Sequence, residues 1–158
     1  MDRLWAPWRM AYVTAHSEGG CLFCEKLLEH ADRKNLILCR RPLGFAILNA
    51  FPYSAGHVMV VPNRHVAEFN HLTSDELLEI MPLAQDVIRA ITKAYQPEGF
   101  NLGMNLGRAA GAGIDGHLHL HVVPRWSGDT NFMPIVGQVK VMPESLEATF
   151  DKLFPHLD

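Results

Sequence analysis

The stretch DGHLHLHVVPRW, residues 115–126, puts His117, His119 and His121 at every second position within a run of leucine and valine. Side chains of an extended strand alternate between its two faces, so the three imidazoles line one face at intervals of roughly 6.5–7 Å. Leu118, Leu120 and Val122 take the opposite face and point to a core. Histidine is neither a strong strand former nor a common core residue, so one face of this segment is marked for chemistry. Alternating histidines can supply two ligands to a zinc ion, although the strand has no Asp or Glu to complete a hydrolytic centre. Alternatively, the middle imidazole is a nucleophile, oriented by one neighbour and assisted at the leaving group by another. Three solvated histidines on an edge strand are the plain reading; strict alternation directly after a glycine-rich loop argues against it.

That loop, GAGIDG (111–116), matches the G-x-G-x-x-G of dinucleotide-binding turns. Such a turn works after a strand and at the start of a helix, whose N-terminus holds the pyrophosphate. Here the loop runs into a strand, and no Gly-Lys-Ser/Thr ending makes it a P-loop. What survives is the physics of closely spaced glycines, whose backbone N–H groups can approach an anion with no Cβ in the way. An anion-binding loop feeding a histidine row points to a phosphorus centre attacked by imidazole.

Working outward, NLILCRR and GFAILN read as two strands joined at Pro42-Leu43-Gly44, GHVMVVP as a third and FNLGMNLG as a fourth, with HLHLHVVP the fifth. In TSDELLEIMPLAQDVIRAITKAY, Thr73 and Glu76 stand in capping-box spacing, and Leu77, Ile80, Ala84, Val87, Ile88 and Ile91 form a stripe of helical period. Pro82 is expected to kink or restart that helix, because it lacks an N–H and clashes with the preceding turn. CLFCEKLLEH reads as a turn with two thiols followed by a short helix, NFMPIVGQVKVMP as extended, and ESLEATFDKLF as a closing helix. The sum is α+β: a mostly antiparallel sheet of about five strands with one long helix on a face. One domain is expected over 1–158, with an apolar N-terminal arm (1–20) and a C-terminal extension (127–158).

The 158 residues are 48% hydrophobic and 20% charged, which suits one globular domain with a sizeable core. A net charge of −3 shows no basic bias, so a nucleic-acid duplex is not an expected partner. Three cysteines, two of them as Cys21-x-x-Cys24, make no disulfide framework, and MDRLWAPWRM is no signal peptide; a reducing cytoplasm is expected. No apolar run approaches the roughly 20 residues of a membrane span.

HLHLHVV resembles the His-φ-His-φ-His-φ-φ signature (φ apolar) of the histidine triad superfamily of nucleotide hydrolases and transferases, at all seven positions. LNAFPYSAGHVMVVP resembles the family's other landmark, with Asn49 eight positions before His57. The resemblance runs from about Cys21 to Trp126. LWAPWRMAYV and VVPRWSGDTNFMP are similar to a bacterial branch named for diadenosine tetraphosphate phosphorylases or hydrolases. The resemblance implies that His119 is the nucleophile and forms a covalent nucleotidyl-histidine at the α-phosphorus of an adenosine polyphosphate. It implies that His121 contacts the transferring phosphate, that His57 joins the same cluster, that Asn49 bonds the ribose hydroxyls and that Asn105 contacts phosphate. Gly111 and Gly113 belong to the phosphate-facing loop. Hydrolase and phosphoramidase members carry Gln where this chain has Gly113. The glycine leaves room for inorganic phosphate as the second acceptor, as in the phosphorylase branch, with hydrolysis of dinucleoside polyphosphates or nucleoside phosphoramidates the alternative. A nucleotide-binding regulator without turnover is the reading from another class, and the intact triad argues against it. Arg125 and Trp126 are candidates to lie near the polyphosphate and the base, against a plain reading of a charged strand end with a packed indole.

For the thiol pair, a thioredoxin-like motif would need a βαβ setting that the sequence lacks. Similar triad proteins bind zinc through such a Cys-x-x-Cys, a histidine at the position of His65 and the first triad histidine. The implied set is Cys21, Cys24, His65 and His117, a closed Cys₂His₂ site and so structural zinc; some relatives instead use the residue at His117 within the catalytic network. Magnesium enters only as a companion of the polyphosphate. The resemblance also implies a homodimer acting on adenine nucleotides. Cys39 reads as a buried small apolar residue.

Overall fold

Short apolar runs along this chain build a sheet whose two faces have unlike fates, and a stripe of helical period covers one of them. In the computed structural model, residues 20–130, 136–137 and 141–157 are described; the N-terminal arm up to residue 19 and most of the stretch 131–143 lie outside them. The strands are β1 (Ile37–Arg40), β2 (Gly44–Leu48), β3 (Val58–Pro62), β4 (Gly99–Gly103) and β5 (Leu120–Arg125). They form one sheet in the order β1-β2-β3-β5-β4, and every neighbouring pair is antiparallel. The helices are α1 (Leu22–Leu28), α2 (Asp32–Asn35), α3 (Ser74–Tyr95) and α4 (Leu146–Leu153). This is the α+β architecture expected from the sequence.

Ala46, Leu48, Val58, Val60, Leu120 and Val122 face α3 and form the larger core with Ile80, Leu83, Ala84, Val87 and Ile91. Leu83 and Ala90 complete the helix's buried stripe, while Leu77 and Ile88 are half-buried at its edges. The capping box is present: Glu76 N–H donates to the Thr73 hydroxyl at 3.2 Å, and Thr73 N–H donates to the Glu76 carboxylate at 2.8 Å. Pro82 does not restart the helix, which runs unbroken for 22 residues. The proline is exposed, and the carbonyl it leaves without a helix partner belongs to Leu78 on the same exposed face, so no buried hydrogen bond is lost. No helix of the described residues is long and apolar enough to cross a membrane.

On the opposite face, Phe23 of α1 packs with Ile37, Phe45, Ile47, Met59 and Val61. Met59 pairs with His121, so this same face continues onto β5 as His121, Val123 and Arg125. Gly103 and Asn101 of β4 pair with His121 and Val123 there, and both are exposed. One half of this face is thus a second core, and the other half is open.

Candidate functional site

The histidine row begins before the strand. β5 starts at Leu120, so His117, Leu118 and His119 form an extended lead-in rather than its first residues. The reason lies in the neighbouring strand, which ends at Pro62, a residue with no N–H for the ladder. The backbone groups find other partners: Leu118 N–H donates to the Val66 carbonyl at 2.7 Å, and the Pro62 carbonyl lies 2.9 Å from His117 Nε2. The three imidazoles are all buried, and so is His57.

Two clusters result. The first gathers His57, His119 and His121. Tyr53 N–H donates to His57 Nδ1 at 3.0 Å, which makes Nδ1 the acceptor and puts the ring proton on Nε2. That Nε2–H then donates to His121 Nδ1 at 2.9 Å, so His121 in turn carries its proton on Nε2. His119 Nδ1 lies 2.9 Å from the His117 carbonyl and can only donate to it, which leaves the lone pair on His119 Nε2. Hydrogen bonds therefore set a nucleophilic nitrogen beside an N–H donor, with the two rings T-shaped at 4.8 Å between centroids. Burial holds the His119 pKa below the ordinary imidazole value, against the opposing effect of its bond to the His117 carbonyl, and this favours the neutral ring.

A pocket opens onto the rings of His119 and His121. It brings together six of the residues singled out in the sequence: Asn49, Asn105, Gly111, Gly113, His119 and His121. The Asn49 side-chain oxygen accepts from Phe51 N–H at 2.9 Å, and its amide lies 3.4 Å from His57 Nδ1. Asn105 donates to the Gly111 carbonyl at 3.3 Å and so braces the glycine loop. Gly111 sits at φ 89°, a left-handed conformation that only glycine adopts at little cost, and this turns the loop toward the histidines. Sequence reasoning missed the apolar walls, Phe51, Tyr53, Met59 and Ile114. The aromatics of FPY (51–53) end four residues before His57, but along the chain a pocket aromatic and a loop aromatic look alike. The Tyr53 ring lies 4.7 Å from that of His57 and 5.8 Å from that of His121. Trp126 does not line this pocket but a separate depression with Tyr95 and Lys152.

The second cluster joins Cys21, Cys24, His65 and His117, whose ligand atoms all lie within 4.8 Å of one another. Cys21 caps α1 and Cys24 lies within it, so the second thiol is helical rather than in the turn. Cys21 Sγ is 3.2 Å from His117 Nδ1, and Cys24 Sγ is 3.5 Å from His65 Nδ1 and 3.6 Å from His117 Nδ1. Zinc–sulfur and zinc–nitrogen bonds of 2.3 and about 2.0–2.1 Å give a tetrahedron whose edges are about 3.3–3.8 Å, so the donor set fits a metal ion. His117 Nε2 is committed to the Pro62 carbonyl, which orients the ring and frees Nδ1 for a ligand. Burial and the neighbouring Cys21 push the Cys24 thiol up to about 11, a cost that a cation between the two sulfurs reverses. Phe23 stands between the clusters, 5.4 Å from the His117 ring and 5.2 Å from that of His119. Cys39 is separate and packs against the larger core.

Comparison with known proteins agrees with this geometry. The chain is 41% identical to a Mycobacterium tuberculosis protein named AP-4-A phosphorylase, over 94% of this chain and 80% of that one. It is 29% identical to the adenosine 5′-monophosphoramidase of Schizosaccharomyces pombe, over 84% of this chain and 95% of the relative. Among solved structures, a zinc-bound histidine triad family protein from Mycobacterium smegmatis superposes with a TM-score of 0.71, at 24% identity, over 87% of this chain and 93% of the other. Residues 31–128 match the HIT domain family, and with that match the triad strand, its glycine loop and the sheet beneath them place this chain among the members of the HIT domain, or histidine triad, family.

Proposed function

We propose that the protein cleaves dinucleoside polyphosphates by nucleotidyl transfer, converting diadenosine tetraphosphate and phosphate to ATP and ADP through an adenylyl-His119 intermediate. The observation that carries this reading is the hydrogen-bond chain fixing opposite tautomers on adjacent rings: a lone pair on His119 Nε2 and a proton on His121 Nε2. His119 Nε2 attacks the α-phosphorus, and the bond to the oxygen of the leaving ATP breaks. The His121 N–H steadies the charge that develops on the phosphoryl oxygens, with the backbone N–H of Gly113; the Gly111 N–H is taken by the Arg108 carbonyl at 2.9 Å, so Gly111 shapes the phosphate-facing loop instead. A phosphate oxygen then attacks the same phosphorus, the P–N bond breaks and ADP leaves. His57 positions His121; Asn49 bonds the ribose hydroxyls and Asn105 braces the loop against the phosphates. The similarity to the AP-4-A phosphorylase supports the substrate class, and Gly113 in place of a glutamine supports phosphate as the acceptor.

In this reading Cys21, Cys24, His65 and His117 hold a structural zinc ion, which supplies a cross-link between the α1 region and the triad segment. The donor separations support that, as does the zinc-bound state of the M. smegmatis protein with the same fold. Magnesium enters only on the substrate's phosphate chain, and the chain works in the cytoplasm as a homodimer. As the outermost strand of the sheet, β4 offers its backbone edge to a second copy.

Product analysis on diadenosine tetraphosphate, with and without inorganic phosphate, tests the reaction. ATP plus ADP formed only with phosphate, and lost in His119→Ala, is the expected result. AMP plus ATP regardless of phosphate would make the protein a hydrolase.

A further inference from the structure

A second depression adjoins the nucleotide pocket and shares Tyr53, Asn105 and His121 with it. It follows the open half of the sheet. His121, Val123 and Arg125 alternate onto that face, and the four-residue step from His121 to Arg125 spans about 13 Å. Alongside run Gly103 and Asn101, paired with His121 and Val123. A Cβ at Gly103 would meet nothing within 4 Å, so the floor beside His121 is bare. Resting on the function proposed above, we infer that this shelf receives the leaving phosphate chain and its second nucleoside, with Arg125 the residue that selects a polyphosphate leaving group.

The chemistry of Arg125 carries the assignment. Its Nε and one terminal nitrogen donate to the Asp129 carboxylate at 2.5 and 3.0 Å, and the other terminal nitrogen donates to the Asn101 side-chain oxygen at 2.7 Å. These bonds use three of five N–H donors and fix the guanidinium plane, leaving two donors on a side chain that lines the shelf. The side chain is 46% exposed, so as a surface ion pair the Arg125–Asp129 contact adds little to stability. A planar cation clamped from both sides suits recognition of phosphate oxygens, because its orientation is set before the ligand arrives. Asp129 cancels its net charge, so selection comes from donor geometry rather than from attraction of anions in general. The phosphorus under attack sits at His121, where the two depressions meet, and the leaving chain must extend away from the nucleotide pocket.

The test compares two substrates that share the adenylyl group. Diadenosine tetraphosphate fills the shelf; adenosine 5′-phosphoramidate, whose leaving group is ammonia, does not reach it. Arg125→Gln is expected to lower kcat/KM for the tetraphosphate about 10- to 100-fold, the range of a lost charge-assisted bond, and for the phosphoramidate less than threefold. Gly103→Glu, which leaves Arg125 and its ion pair in place and sets a carboxylate on the bare floor, should give the same selective loss. Equal losses on both substrates, or a tetraphosphate rate untouched by either variant, would overturn the inference. A wild-type protein that turns over neither substrate removes the proposed reaction, and binding then decides the shelf separately. Calorimetry with a methylene-bridged diadenosine tetraphosphate and with AMP should show Arg125→Gln weakening only the former. Equal affinity of the wild-type protein for both ligands refutes the shelf.

Discussion

The two histidine clusters are supplied by one short segment yet differ in almost every physical respect. His117 turns its ring to two sulfurs and a third side chain, in a closed set of donors that fits a metal ion. His119 and His121, two and four residues on, line an open pocket, with His57 hydrogen-bonded to His121 and protons assigned by a relay that starts at a backbone N–H. Phe23 keeps the two apart. The clusters are nonetheless linked through the backbone, because the carbonyl of His117 accepts the hydrogen bond that His119 Nδ1–H donates. The backbone of the first cluster's histidine therefore sets the tautomer of the second cluster's. Identical residues two apart acquire different work from their neighbours rather than from their own chemistry.

That contrast makes ranked expectations. Its strongest consequence is that His119→Ala should abolish activity by at least about 10⁴-fold while costing no more than about 2 kcal/mol of stability. Product formation and thermal unfolding, measured on the same sample, would erase the distinction if stability fell as steeply as turnover. Next, Cys24→Ala should behave in the opposite sense, destabilising by about 3–5 kcal/mol, or about 6–20 °C in Tm for a chain of this size. A chelator should lower the Tm of the wild-type protein by a similar amount and leave that of Cys24→Ala unmoved; a Tm indifferent to both would deny the cluster its metal.

A smaller effect concerns the segment that carries His65. Arg64 donates to Glu76 at 2.8 and 2.7 Å, tying this segment to the start of α3. Arg64 and the Thr73 backbone hold the Glu76 carboxyl down at about 2, below its ordinary value of 4.5. A depressed carboxyl contributes stability that is complete above its unfolded pKa and is lost as pH falls through the folded one. Between pH 4.5 and 2 the wild-type protein should lose about 2–3 kcal/mol that Glu76→Gln does not. Parallel acid-unfolding curves would show that the tether is idle. Smallest of all, Asn49→Ala should raise KM for the dinucleotide about tenfold, near 1.4 kcal/mol, with kcat changed less than threefold. A loss in kcat alone would move Asn49 from binding to control of His57.

Much of this was legible along the chain, at particular residues. Short apolar runs bounded by turn residues announced the strands, and Thr73 with Glu76 announced the start of α3, because these signals act over a few residues. The histidine alternation, the glycine loop and the two landmarks of the family carried the candidate site, and the pocket unites six of the residues they named. Where reading along the chain failed, a distant partner was responsible. β5 begins late because Pro62 offers no N–H, and Pro82 is harmless because its face of the helix is outward. The walls at Phe51, Tyr53 and Ile114 were missed because nothing local distinguishes a pocket aromatic from a loop aromatic.

Sequence alone thus settled which residue types recur at which period, and so the elements, their amphipathic faces and the chemistry available to the site. Folding settled the assignments among equals. Cys21 and His117 meet across 96 residues, and His57 and His121 across 64. Which histidine faces the two sulfurs and which keeps its lone pair on Nε2 follows from those meetings, since a ring's proton is placed by the hydrogen-bonding group opposite it, and local sequence does not specify that group.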